Sequence, residues 1–146
     1  MKLSVVRFDP LMVFTFKAYT AAIDLGEMLM WTTSGSYVTP ATATTSDATF
    51  VGISGGQARL TVDSGNEITV YQRCICRCAL TSAAYIFGAG LKWASASSLV
   101  ADGNADTIGW FVDSARSGQT LTEGLVLFDV AMLGAIKGLQ YDVASA

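Results

Sequence analysis

The chain has 146 residues, a formal net charge of −3 and no histidine. Apolar residues make up 51% of it and charged residues 14%, against the quarter or so of charged residues in a typical soluble domain. The length suits one domain with a sizeable core. The missing histidine argues against a hydrolase of the Ser-His-Asp type, and the negative charge argues against electrostatic binding of nucleic acid. No apolar run reaches the roughly 18 residues that a membrane helix needs.

The low charge leaves a surface made largely of small and apolar side chains. The mean hydropathy is +0.44, which is high for a soluble monomer. Obligate subunit interfaces resemble a domain core cut in half. We therefore expect permanent contacts with other subunits.

The first segment, residues 1–16, predicts an extended arm, because apolar and polar residues alternate on both sides of Pro10. Arg7 and Asp9 interrupt the run before the apolar region of a signal peptide develops, so no export signal is expected. Exposed aromatic side chains in such a segment usually dock on another surface. The predicted contact residues are Val5, Phe8, Met12, Phe14 and Phe16. The alternative is an ordinary edge strand of this protein's own barrel.

Short apolar runs separated by turn formers fill residues 17–133. Turn signals recur about every ten residues, and no stretch has the apolar spacing of a helix of ten or more residues. The pattern predicts one compact, all-β antiparallel barrel or sandwich over 17–133, followed by a tail rich in small residues over 134–146. Strands are predicted at 28–33, 37–39, 49–53, 58–62, 67–80, 91–95, 98–100, 107–113 and 124–132.

Two passages of the chain resemble each other, which predicts a domain built of two weakly similar halves. At an offset of 62 residues, Gly26, Leu29, Trp31 and Val38 match Gly88, Leu91, Trp93 and Val100. At an offset of 57 residues, Gly52 matches Gly109, and residues 68–71 match 125–128. The tryptophans are predicted to anchor the core or a trimer interface: Trp31, Trp93 and Trp110. The alternative is a platform that stacks on sugars.

The three cysteines alternate along one predicted strand and share one face: Cys74, Cys76 and Cys78. A disulfide within a single strand is strained, and parallel side chains do not converge on a metal. We expect three buried, reduced thiols, with no metal and no cofactor. Many acidic residues fall in predicted turns, where an Asp side chain hydrogen-bonds to its own backbone. These residues are Asp47, Asp63, Asp102 and Asp106. An enzyme that uses a pair of carboxylates is therefore not expected.

The order of the motifs resembles a known family. An aromatic-Lys-Ala start is followed by a Gly-acid-apolar turn, a hairpin, Val-Gly-Ile, a Gly-rich turn and an apolar strand, and a weaker copy then follows. The chain is similar in this respect to the capsid decoration, or cement, proteins of tailed bacteriophages, over about residues 14–131. The motifs are Phe16-Lys17-Ala18, Leu25-Gly26-Glu27-Met28, Phe50-Val51-Gly52-Ile53, Glu67-Ile68-Thr69-Val70 and Gly124-Leu125-Val126-Leu127. The second copy departs from the pattern, because Gly88-Ala89-Gly90 lacks the acid.

The resemblance implies a β-barrel or β-tulip-like domain that assembles as a homotrimer. It implies binding to the major capsid protein and to neighbouring copies, on the outer surface of the virion at local three-fold positions. Such a protein is made in the host cytoplasm, binds after the head expands and stabilises the shell against the pressure of packaged DNA. Leu139 and Tyr141 of the tail are candidates for contact with an adjacent copy, and the alternative is a disordered tail.

Two rival functions remain from the sequence. One is another virion structural role, such as a tail or head-fibre subunit. The other is a glycan-binding β-module that uses its tryptophans, with Trp110 as the first to test. Nucleic acid, membranes and catalysis are not expected for any of these functions.

Overall fold

The fold comes from a computed structural model that describes residues 3–19, 22–32, 37–42, 49–56, 67–95, 98–101 and 107–131. The named elements of these residues are strands and two short 3-10 turns, which confirms the all-β prediction. The 3-10 turns are Pro10–Met12 and Ser114–Arg116. The strands are β1 (Ser4–Phe8), β2 (Val13–Lys17), β3 (Met28–Trp31), β4 (Val38–Pro40), β5 (Phe50–Ser54), β6 (Glu67–Tyr71), β7 (Arg73–Ala84), β8 (Gly90–Ser95), β9 (Ser98–Ala101), β10 (Gly109–Phe111) and β11 (Thr120–Asp129).

The strands form two five-stranded units of the same order. The N-terminal sheet has the order β2-β6-β5-β3-β4. A parallel bridge between Ala18 and Val38 brings its two ends together, and Tyr19 N–H donates to Val38 O at 2.9 Å. The C-terminal barrel has the order β7-β11-β10-β8-β9 and closes through a parallel pairing of Leu80 with Leu99. Closure leaves no long unpaired edge between its first and last strands.

Strand register shows that the two units are copies of one plan. Leu29 pairs with Gly52 in the N-terminal sheet, and Leu91 pairs with Gly109 in the C-terminal barrel. The register also corrects two of the sequence matches. Val38 corresponds to Leu99 rather than to Val100, because Trp31 pairs with Val38 and Trp93 pairs with Leu99.

The alignment between the last strands of the two units, β6 and β11, also differs by one residue from the match in the sequence. Val70 pairs with Ser54, and Val126 pairs with Phe111, so β6 and β11 align at an offset of 56 residues rather than 57. Burial explains the shift, since Ile68 and Val70 are buried and so are Gly124 and Val126. A slip of one residue would turn the inward face of the strand to the outside.

The predicted long strand over 67–80 is two strands. It breaks at Gln72, whose N–H donates to Met12 O at 2.9 Å and whose carbonyl accepts from Val130 N–H at 2.9 Å. The chain crosses from the N-terminal sheet to the C-terminal barrel at this residue. The predicted strand at 58–62 lies outside the described residues.

Two buried clusters hold the units together. The larger one fills the barrel and also takes in Met28, Phe50 and Ile53 of the N-terminal sheet. Phe50 and Phe128 bring the two units into contact with ring centroids 5.7 Å apart. The smaller cluster lies within the N-terminal sheet and includes Ala18, Ile23, Leu29, Val38, Val51, Ile68 and Val70.

The segment predicted to be an arm is paired with the rest of the protein. β1 lies antiparallel to β7, with Phe8 opposite Cys74, and β2 is the neighbour of β6. Arg73 joins the end of β1 to the barrel, because its guanidinium contacts Asp9 at 3.0 Å and Asp129 at 2.8 Å. The hydrogen bond and the charge of Asp129 contribute most to raising the pKa of Arg73.

Candidate functional site

The cysteine row lies on the inner face of β7. The three side chains are buried, and the Sγ atoms of Cys74 and Cys76 are 3.6 Å apart. The hydrogen bond to Cys74, together with burial, raises the pKa of the Cys76 thiol. Burial raises the pKa of Cys78 to about 12. A raised pKa suppresses the thiolate, which is the reactive form, so burial disfavours thiolate chemistry at Cys76 and Cys78.

The tryptophans are divided between the two units. Trp31 packs against the N-terminal cluster and meets Phe16 edge to face, with ring centroids 5.2 Å apart. Trp93 is buried in the barrel cluster, and its Nε1 has no hydrogen-bond partner among the described residues. Trp110 is partly buried against the same cluster. A sugar platform needs ring faces exposed side by side, whereas Trp93 is buried and Trp31 packs against a different cluster from Trp93 and Trp110.

The acidic side chains of the described barrel are engaged with arginine. Asp113 accepts from Arg116 at 2.7 Å, and Asp129 accepts from Arg73 at 2.8 Å. Within the part of the chain that the structure describes, no group of three or more Cys, Asp or Glu side chains is arranged to hold a metal ion. The turn residues Asp47, Asp63, Asp102 and Asp106 lie outside the described residues.

Exposed apolar side chains concentrate in the segment from β1 to Tyr19, which follows β2. Leu11 is 86% exposed and Val6 57% exposed. Together with three exposed aromatic residues close to them in sequence they make up the set of residues that we term the apolar ridge: Val6, Phe8, Leu11, Phe14 and Tyr19. Five of the eight large exposed apolar side chains of the described residues belong to this stretch. Large exposed apolar side chains are candidates for contact with a partner, and five of them occur within this short stretch of sequence.

The predicted contact residues fall partly on the apolar ridge. Phe8 and Phe14 belong to it, whereas Val5, Met12 and Phe16 are half-buried beside it. Phe8 stacks on Tyr71 with ring centroids 4.4 Å apart and an interplanar angle of 16°. A shallow groove runs beside this pair, lined by Leu3, Val6, Leu25 and Gly26 among others. Leu139 and Tyr141 lie outside the described residues.

Sequence reasoning missed several exposed residues. Leu11 follows Pro10 in the 3-10 turn and belongs to no alternating run, so periodicity gives no signal for it. Leu25 and Phe87 are each 58% exposed, and both precede a matched glycine of the repeat. This shared position before a turn glycine is the sequence feature that would have predicted their exposure.

No family model matches the chain, and no curated protein matches it. No helix in the described part of the chain is long and apolar enough to cross a membrane. The surface chemistry is therefore what supports a function.

Proposed function

We propose that this chain is a capsid decoration protein of a tailed bacteriophage. It binds the major capsid protein on the outer surface of an expanded head, at local three-fold positions, as a homotrimer. The observation that carries the proposal is the apolar ridge, which gathers exposed Val6, Phe8, Leu11, Phe14 and Tyr19 in one short stretch. The family resemblance of the motif order supports the same role.

The rigidity of the apolar ridge supports a clamping role. Val6, Phe8 and Phe14 lie in β1 and β2, which pair with β7 and β6, so little backbone entropy is lost when these residues bind. Burying one large apolar side chain contributes about 1.5–3 kcal/mol. Such contacts are modest in one copy and become strong when many copies act on the same shell.

The pairing of β1 determines how the proposal is tested. Leu3 is buried and Asp9 is bonded to Arg73, so removing residues 1–10 would disturb the fold as well as the surface. Single charge substitutions at exposed positions are cleaner. Leu11→Asp and Val6→Asp each remove an exposed apolar side chain and leave the buried core residues unchanged. Thr122→Asp, at an exposed position of β11, is the matched control.

The experiment is co-sedimentation of each variant with expanded heads assembled without the protein, followed by imaging. We expect wild type and Thr122→Asp to show density at local three-fold positions. Leu11→Asp should bind at least about tenfold more weakly, because it loses one buried apolar anchor and must desolvate a charge. Full occupancy by Leu11→Asp would show that the apolar ridge is not the surface that binds the head. If the wild-type protein binds tails or fibres and not heads, the capsid decoration role would be wrong and the other virion structural role would be favoured.

A further inference from the structure

Each unit of the repeat has an outer row of residues at the same register positions. Residues that pair directly across neighbouring strands have their side chains on the same face of a sheet. In the N-terminal sheet the outer row is Val13, Tyr71, Ile53 and Met28. In the C-terminal barrel it is Ile75, Leu127, Trp110 and Gly90. The two rows are therefore structural counterparts.

The outer row of the N-terminal sheet is covered by apolar side chains. Met28 and Ile53 are fully buried and belong to the larger cluster. Phe8 of β1 stacks on Tyr71 with ring centroids 4.4 Å apart. The plan of the unit thus uses this face as a packing surface.

The outer row of the barrel is more open. Ile75, Leu127 and Trp110 are each half-buried. An open cavity of about 190 Å³ lies at the β1 end of this row, lined almost entirely by apolar surface from residues 7–9, residues 73–75 and Leu127. Pockets for small-molecule ligands have about 300–1,000 Å³, so this cavity suits one anchoring side chain of a partner protein.

The rim of the cavity has an arginine without a carboxylate partner. The guanidinium of Arg73 contacts Asp9 at 3.0 Å and Asp129 at 2.8 Å. Arg7 is exposed and forms no ion pair with any described residue. The occupant that complements this cavity is therefore an apolar side chain with acidic residues beside it.

The chain itself has such an element in the turn formed by residues 24–27, which we term the Gly26 turn. Leu25 is 58% exposed, Asp24 precedes it and Glu27 follows two positions later. Among the eight large exposed apolar side chains of the described residues, Leu25 alone has an acidic residue within two positions on each side. Leu3 N–H donates to Gly26 O at 2.7 Å, so the turn is already ordered and loses little entropy on docking.

The second copy of this turn has the same shape and lacks the acids. Gly26 has φ 78° and Gly88 has φ 89°. Phe87 is as exposed as Leu25, but no acidic residue stands within two positions of it. The N–H groups of the two glycines donate to main-chain oxygens at counterpart positions of β5 and β10: Ser54 O at 2.9 Å and Phe111 O at 2.7 Å. Phe87 therefore offers a matched control for Leu25.

We infer that Leu25 of one copy occupies the cavity beside Ile75 and Leu127 of a second copy, with the acidic residues around it facing Arg7. The inference rests on the homotrimer of the proposed function and names the contact that forms it. Leu25 does not line the cavity of its own chain, so a neighbouring copy must supply it. Each copy gives one turn and one cavity, and three such contacts close a ring.

Analytical ultracentrifugation of the full-length protein without heads tests the contact by itself. We expect the wild-type protein to sediment as a trimer. Leu25→Ala should raise the concentration of half-assembly at least about tenfold, because a buried Leu contributes roughly that factor to an equilibrium. Phe87→Ala is the matched control and should leave that concentration unchanged. A monomeric wild type, or a Leu25→Ala trimer of unchanged stability, would overturn the inference.

A charge exchange tests the role of Arg7. Arg7→Glu places a carboxylate opposite the acidic residues of the incoming turn and should weaken the trimer at least about tenfold. Adding Asp24→Arg in the same chain should recover part of this loss, since opposite charges then face each other again. Lack of recovery in a double variant with a native circular dichroism spectrum would overturn the pairing.

Photocrosslinking identifies the neighbour directly. The photoreactive amino acid p-benzoylphenylalanine is placed at position 25, and an equal mixture of unlabelled and ¹⁵N-labelled protein is irradiated and digested. We expect links to residues 7–9 or 73–75, about half of which join peptides of different isotopes if copies mix at random. Links that never mix isotopes would overturn the inference. A trimer with mixed links that does not bind heads would support this contact and contradict the capsid role, so the two failures are distinguishable.

Discussion

The cysteine row shows how single residues compensate between the two units. The register places Cys76 and Cys78 of β7 where Phe14 and Phe16 stand in β2, and it places Phe111 where Ser54 stands. The N-terminal unit therefore has its large aromatic side chains on β2, whereas the C-terminal unit has one on β10, and the strand order is the same in both. A Cβ on Gly124 would lie 2.8 Å from the Phe111 ring, so Phe111 occupies the space that a side chain there would need. Conserving volume preserves a core better than conserving residue type.

Burial of the thiols predicts slow chemical modification. Cys74, Cys76 and Cys78 are at most 2% exposed, so a thiol reagent must wait for the barrel to open. We expect native protein to react with a coloured disulfide reagent at least about a thousandfold more slowly than protein in denaturant, given the usual cost of opening a core strand. Stoichiometric labelling of the native state within seconds would contradict burial of the row.

The Cys78 thiol predicts loss of stability at alkaline pH. Its pKa is raised from 9.0 to about 12 by burial. Below pH 9 both states keep the proton and stability is unaffected. Between about pH 9 and 12 only the unfolded state releases it, so the free energy of unfolding falls by up to about 1.4 kcal/mol per pH unit for this group.

Denaturant unfolding at a series of pH values measures this effect. Cys78→Ala should lose stability less steeply than wild type above pH 9, and the two slopes should agree between pH 7 and 8.5. Equal slopes above pH 9 would mean that Cys78 titrates in the native state near its ordinary pKa.

At the scale of elements, the contact between β1 and the Gly26 turn distinguishes two kinds of glycine. Gly26 has both a positive φ and a backbone neighbour, Leu3 O, 2.2 Å from where a Cβ would lie. Gly118 has φ 85° and nothing within 4 Å. An alanine at Gly118 therefore meets only the backbone strain of a left-handed conformation, whereas one at Gly26 must also displace β1.

Thermal unfolding of the two variants tests this difference. We expect Gly118→Ala to destabilise by about 1–2 kcal/mol. Gly26→Ala should cost at least about 2 kcal/mol more, because it also breaks the Leu3 hydrogen bond and uncovers a buried Leu. Equal losses would show that β1 contributes little to the stability of this turn.

Local pattern was enough to predict the strands around residues 28–33, 49–53 and 91–95, because each carries apolar residues between turn formers. It also revealed the repeat, since Gly26 and Gly88 stand at equivalent turns. The pattern did not reveal the break at Gln72, because that break is fixed by bonds to Met12 and Val130 far along the chain. Closure of the barrel by Leu80 and Leu99 is non-local in the same sense. The apolar ridge was predicted only in part, since Leu11 lies in a turn without periodicity.

At the scale of the whole molecule, the shared cluster predicts one cooperative unfolding transition. Met28, Phe50 and Ile53 of the N-terminal sheet pack in the same cluster as the barrel residues, so opening either unit exposes part of the core of the other. Trp31 reports on the first unit, and Trp93 and Trp110 report on the second. We expect the Trp31→Phe protein and the double variant Trp93→Phe with Trp110→Phe to report midpoints that coincide with that of far-UV circular dichroism within each protein. Two separated transitions in either variant would show that the units unfold independently.

The repeated topology has a consequence for symmetry. Each chain carries the same five-stranded plan twice, so the proposed homotrimer would carry it six times around one three-fold axis. Alternate units would share the strand order and differ in strand lengths and side chains. Such an assembly would present a nearly six-fold outline built from three genetic copies. It could therefore match surroundings of either symmetry while keeping three identical sets of contacts.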